Sequence, residues 1–411
     1  MIRVFYGRLN AIHPQLPAFL AALVFSAAAG GIFETTFNNY LDDVFHLSAA
    51  QRGMLEFPRE LPGLLCALGA SILCFLPEAK VAGIAFGLVG VGMLGLAFCG
   101  SNWPMVVAFM VAWSAGTHLQ MPVVPSITMG LATEQKRGKR LGQIGAVGRI
   151  GTILGCGVVW LLGRRSGSNY MLIFLIGAGV AFLSAVLMAS LGKLGVQRQR
   201  PKLVAQRRYW LYYILETLHG ARKQIFVTFG PWVLVKIFGE PPATFAKLWI
   251  VSAVGGLFFV PAVGQLIDIV GERAILMGEA VSLLGVCAMY GFAERIFPGR
   301  RLAVRVLYLS YMLDQLLFSV GMARNTYVSK IALSPEDVAP ALSLGVSINH
   351  AVSMSVPTVG GLVWDAYGYQ YVFIGALGVA VTILFFTSLV RVPRKPAVEA
   401  SMAVDQEVGE A

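Results

Sequence analysis

Apolar stretches long enough to cross a bilayer recur along almost the whole chain, and this feature constrains its fold more than any other. About 20 apolar residues carry a helix across a hydrocarbon core of ~30 Å. That ruler marks twelve segments: 17–39, 52–76, 81–99, 103–130, 141–162, 170–191, 209–235, 244–267, 274–293, 302–329, 340–364 and 371–390. Inside hydrocarbon every backbone N–H and C=O needs an internal partner, so such runs read as helices. The expected fold class is therefore an all-α polytopic membrane protein with twelve transmembrane helices. Composition agrees: only 13% of the residues are charged, against about 25% in soluble domains. Too few polar residues remain to coat a water-soluble fold of 411 residues.

The net charge of +11 does not point to nucleic acid, because the basic residues gather at the ends of apolar runs, as membrane topology requires. The five cysteines lie mostly within apolar runs and show no CxxC spacing, so they read as small hydrophobes. The five histidines are scattered, and no metal site or cofactor is expected. Arg3 and Arg8 precede an apolar run that starts at Pro17 with no cleavage pattern, which reads as an uncleaved first span. An even number of spans puts both termini on one side. With the N-terminus inside, 18 basic residues fall on the cytoplasmic face and 9 on the other, so both ends are expected in the cytoplasm of a bacterial inner membrane. Arg164/Arg165 and Arg300/Arg301 run against that trend.

The longest hydrophilic segment between spans is 192–208, GKLGVQRQRPKLVAQRR. It divides the chain into a six-helix half at 1–191, a basic linker, a second six-helix half at 209–390, and a polar tail at 391–411 that is expected to be disordered.

A charge at mid-bilayer costs at least ~2.5–3.5 kcal/mol on insertion scales, so it persists where it meets a cavity or a partner. The candidates are Glu34 in span one; Glu56, Arg59 and Glu60 in span two; Arg149 in span five; Glu216, His219, Arg222 and Lys223 in span seven; Glu279 in span nine; and Asp314 and Arg324 in span ten. His118 in span four and His350 in span eleven are polar companions. Spans three, six and twelve hold no acid, base or histidine, and span nine holds one such residue. In span seven, helical spacing puts Tyr212, Glu216, His219 and Lys223 on one stripe with Arg222 to the side. That stripe reads either as a self-neutralising ladder or as a site where a base holds an anion and Glu216 or His219 exchanges a proton. In span two, Arg59 between Glu56 and Glu60 is expected to be paired, with Pro58 and Pro62 freeing carbonyls nearby. Arg149 lies on a stripe formed by Gly142, Gly145, Gly148, Gly151 and Gly155, and needs either a carboxylate such as Glu34 or Glu56, or an anionic ligand.

Between spans eight and nine runs Gly264-Gln265-Leu266-Ile267-Asp268-Ile269-Val270-Gly271-Glu272-Arg273. Together with twelve spans, interior termini and a basic central loop, it resembles the major facilitator superfamily, whose inner-face motif is G-x-L-x-D-x-x-G-[RK]-[RK]. Gly264, Leu266, Asp268, Gly271 and Arg273 match; Ile269 and Glu272 depart; and the stronger copy between spans two and three is missing. The resemblance implies two halves around a cavity lined by the first helix of each triplet, with every third helix against lipid, and an inward gate at Gly264, Asp268, Gly271 and Arg273. The empty spans three, six and twelve follow that division. That family's helix-five antiporter signature includes a proline, which is absent here, and this weighs against a drug/proton antiporter.

The chain is thus expected to be a secondary transporter for a small polar or anionic solute, working by alternating access and coupled to protons or another ion. It is expected to be a monomer in membrane lipid. An efflux antiporter, a membrane-embedded enzyme and a sensor are the alternatives. No P-loop, HExxH or GxSxG motif supplies an enzyme's chemistry, and neither the linker nor the tail is long enough for a sensor's output domain.

Overall fold

Helix accounts for nearly all of the computed structural model, which describes residues 14–65, 76–131, 137–164, 168–192, 206–332 and 334–392. The first half contains α1 (Leu16–Phe45), α2 (Ala49–Met54), α3 (Glu56–Leu64), α4 (Glu78–Phe98), α5 (Trp103–Gly130), α6 (Arg137–Leu162) and α7 (Tyr170–Ala189). The second contains α8 (Trp210–Lys236), α9 (Pro242–Val270), α10 (Glu272–Ile296), α11 (Arg300–Leu317), α12 (Gly321–Ile331), α13 (Pro335–Tyr367) and α14 (Tyr369–Ser388). Each expected span coincides with a helix or a broken pair of helices over its described residues; positions 66–75 of the second lie outside them. Most of the 192–208 linker, residues 193–205, and the tail from 393 lie outside the described residues.

Two spans are interrupted, and the interruptions sit where the chemistry is. Span two breaks at Leu55 between α2 and α3. Pro58 has no N–H to offer Met54, and its ring crowds that carbonyl, so one continuous helix cannot pass. Span ten breaks at a 3-10 turn, Phe318–Val320, between α11 and α12. No proline accounts for this second break. Among the described residues, eight helical segments are long and apolar enough to cross a membrane by length and composition, with α11 and α12 counted as one. Spans four, seven and eleven fall outside that set, and residues 66–75 of span two lie outside the described residues.

Within the first half α1 packs on α6 and α7, and α4 packs on α5 and α7. In the second, α10 and α8 pack on α14, and α9 packs on α11. The glycine stripe of α6 divides its labour. A Cβ at Gly151 or Gly155 would run into the α1 carbonyls of Val24 and Ala28, so these two permit backbone contact, whereas Gly142, Gly145 and Gly148 face open space.

The halves meet along α13 against α2 and α3, and along α9 against α6. At the end of the molecule bearing the α1–α2 turn this seam is closed. Asp365 of α13 accepts from the N–H groups of Ala49 (3.0 Å) and Ala50 (3.1 Å), placing a carboxylate on the N-terminus of α2. Lys236 reaches Asp42 at 2.7 Å, and Asn39 donates to the Glu240 carbonyl at 2.7 Å. A Cβ at Gly53 would strike the carbonyl of Pro357, and one at Gly361 would strike that of Ala49.

Candidate functional site

Below the closed seam, α1, α5, α6 and α9 border a cleft of about 430 Å³. Its walls include Ser26, Gly30 and Glu34 of α1, Gln120 of α5, Gly148 and Thr152 of α6, and Trp249 of α9. Lining residues Leu23, Pro125 and Ile144 lie within about two turns of the helix ends remote from the α1–α2 turn. The cleft is therefore reached from that remote end. A second cavity of about 140 Å³ adjoins it through Thr152 and Trp249, lined by Arg149, Ser252, Gln315 and Ser319.

The buried charges form three groups. The first joins the two halves. Glu56, fully buried, accepts from Arg52 (2.5 Å), Arg59 (2.6 Å) and Gln224 of α8 (2.6 Å). Arg59 also lies 3.9 Å from Glu34 and 3.7 Å from Glu60. Lys223 approaches Glu60 at 3.7 Å, and His350 Nδ1 lies 2.9 Å from the same carboxylate. With neutral imidazoles, Glu34, Glu56 and Glu60 balance Arg52, Arg59 and Lys223. The second group lies inside the second half: Arg324 of α12 donates to Glu216 of α8 (2.9 Å) and to Glu279 of α10 (3.4 Å), and Asn349 of α13 donates to Glu216 (3.3 Å). It holds one more carboxylate than base. The third is the pair Arg222–Asp314 at 2.6 Å, both 2% exposed, with the guanidinium over Phe318 at 4.8 Å.

Arg149 stands apart. It makes no ion pair among the described residues, and its guanidinium lies against Gly256 of α9, where a Cβ would collide with it. Neither Glu34 nor Glu56 pairs with it, so of the two expected alternatives the carboxylate partner is not there.

Other expectations need correction. The span-seven stripe is not a ladder: Glu216 turns to Arg324, Lys223 crosses to Glu60, and His219 packs edge-on against Phe318 with ring centroids 6.3 Å apart. Each side chain finds its partner on another helix because the low-dielectric interior rewards direct pairing. Arg52, the first residue of the second expected span and not among the expected site residues, is 2% exposed and binds Glu56 and Asn38. The spacing of Arg52 and Glu56, four residues apart on one helix, was the signal that could have found it. Gln224 was missed outright.

The gate motif is also rearranged. Gly271, at φ +85°, makes the turn between α9 and α10, as its place in the motif requires. Asp268 and Arg273 are exposed, and neither forms an ion pair among the described residues. The ion pair at this turn is made instead by Glu272, the residue that departs from the motif, which is buried and lies 2.5 Å from the Lys330 ammonium of α12.

The scattered histidines are not all apart. His118 of α5 and His350 of α13 meet with ring centroids 4.9 Å apart beside Glu60, in a grouping that sequence spacing had not suggested.

The sequence model of the Major Facilitator Superfamily matches residues 19–293, about two thirds of the chain. No curated protein matches it by sequence. Among solved structures, the nucleoside transporter NupG superposes with a TM-score of 0.71 at 17% identity, covering 91% of this chain and 98% of that one. A bacterial homolog of the human lysosomal transporter Spinster, inward-facing and unoccupied, gives 0.71 at 12% identity over 92% and 96%. The xylose transporter XylE from E. coli, inward open, gives 0.68 at 18% identity over 95% and 98%. At such identities the likeness is one of fold.

Proposed function

The chain belongs to the major facilitator superfamily, and we propose that this transporter, which is not an enzyme, moves a small anionic or polar solute by alternating access with coupled protons. The membrane we assign is a bacterial inner membrane, with both termini in the cytoplasm, on the strength of the basic residues that flank the spans. The seam closed at the α1–α2 end, with a cleft open at the other, then corresponds to an inward-facing state.

The observation that carries the reading is Arg149. Every base of the three groups has a carboxylate partner, whereas the half-buried Arg149 lines the cavity with none among the described residues. A carboxylate or phosphate on the solute would supply that partner, and Gln315, Ser252 and Trp249 would offer hydrogen bonds and an aromatic face beside it. The surplus carboxylate of the Glu216–Arg324–Glu279 group is the natural proton carrier, since one proton balances it. A proton-coupled precedent exists on this fold: one solved neighbour is described as a D-xylose-proton symporter, at 18% identity.

Uptake into proteoliposomes, scanned over a metabolite library with and without a pH gradient, tests this. Anionic metabolites should be taken up, faster with the gradient, and Arg149→Ala should raise KM by roughly 10-fold or more, the worth of a charge-assisted hydrogen bond. Uptake of neutral solutes alone, indifferent to Arg149, would refute it.

A further inference from the structure

We propose that Glu60, His118 and His350 form a binding site for one divalent transition-metal ion such as Zn2+ or Co2+, and that the ion joins the two halves of the protein. One ligand atom from each residue lies within 4.8 Å of the others, and all three side chains are buried. Tetrahedral Zn2+ at ligand distances of about 2.0–2.1 Å sets its donors about 3.3 Å apart. Small side-chain rotations close that difference, and His350 Nδ1 and Glu60 Oε2 already stand 2.9 Å apart.

Two further features point to a ligand rather than a chance meeting of polar groups. His118 Nδ1 lies 2.9 Å from the Ser114 carbonyl, which can only accept, so the proton sits on Nδ1 and the lone pair on Nε2. Metal-bound histidines are oriented by this kind of backbone contact. Position 63 is a glycine, and the point where its Cβ would stand lies 2.7 Å from His118 Nε2 and 2.6 Å from His350 Nδ1. The two nitrogens therefore converge on a volume that any other residue at 63 would fill. On binding, the ion takes the place of the proton that His350 Nδ1 shares with Glu60, and that proton moves to Nε2 of the same ring, so the imidazole remains a neutral ligand.

Lys223 and Arg59, each 3.7 Å from Glu60, are the cationic competitors. Lys223 is 20% exposed at its side chain and has a flexible stem, so it can swing away. Glu60 and His118 belong to the first half and His350 to the second. The ion thus stabilises the arrangement in which α3 and α13 are in contact. The site does not depend on which solute is carried.

Titration of the purified full-length protein with Co2+, followed by its visible d–d absorption, reads the site without any transport assay. One ion per chain should bind, with affinity at least tenfold weaker in His118→Ala and in His350→Ala, and unchanged in His46→Ala. The near-isosteric Glu60→Gln should also weaken binding, which covers the case in which a histidine variant fails to fold. Lys223→Met, which removes the competitor, should tighten it several-fold. Saturable binding that survives the loss of both His118 and His350, or no saturable binding below millimolar Co2+, would overturn the proposal.

Discussion

At the scale of single residues, the interior is governed by who pairs with whom. Removing one partner of a buried ion pair leaves the other uncompensated, at a cost of about 3–5 kcal/mol, whereas replacing both with apolar groups is often neutral. Arg222 and Asp314 form such a pair. Arg222→Met and Asp314→Asn should each lower the melting temperature in detergent clearly, and Arg222→Met with Asp314→Leu should restore most of the loss. An additive double variant would show that the two do not act as a pair. The same reasoning separates Arg149, which has no partner among the described residues. Arg149→Ala should leave the melting temperature within the range of a surface substitution, about 0.5 kcal/mol, while impairing transport. A large loss of stability there would mean that the guanidinium is structural.

At the scale of elements, the spans were legible because apolar run length is a one-dimensional property of the chain. Eleven of the twelve expected segments coincide with a helix or a broken pair, and the second does so over its described residues. The break at Leu55 has a local cause in Pro58, but the 3-10 turn at Phe318–Val320 has none, and only the tertiary structure reveals it. The buried charges were likewise visible as residues and invisible as pairs. Helical spacing compares a side chain with its own helix, so it suggested Glu216 with Lys223, when their partners are Arg324 and Glu60 on other helices. Arg52 was hidden because hydropathy placed it at a span end. The motif at Gly264–Arg273 marked the right turn but the wrong acid, since Glu272 and not Asp268 reaches a base. Lys330→Ala should strand the buried Glu272 carboxylate and destabilise the turn between α9 and α10, whereas Asp268→Asn should be nearly silent in thermal melting. The reverse order would restore Asp268 as the latch.

At the scale of the whole molecule, the seam between the halves must open and close if access alternates. Gly53 and Gly361 let α2 and α13 touch backbone to backbone at the closed end, and Lys236–Asp42 ties α8 to α1 beside them. Gly53→Val should push that end apart without unfolding either half, so that a cysteine placed at Gly30 in a cysteine-free background labels faster from the α1–α2 side. Asp42→Cys with Lys236→Cys, bridged by a reducible thiol crosslinker, should stop uptake until the bridge is reduced. Uptake that continues through the bridge would mean that this seam does not open.

The central claim divides the work between Arg149, which holds the solute, and the Glu216–Arg324–Glu279 group, which holds the proton. The most direct test compares net accumulation driven by a pH gradient with solute exchange at equal pH, in the same proteoliposomes. Exchange needs the solute site but no net proton movement. Glu279→Gln or Glu216→Gln should abolish gradient-driven accumulation and leave exchange running, whereas Arg149→Ala should depress both. Accumulation that persists in both glutamate variants, or exchange that is untouched by Arg149→Ala, would contradict the account.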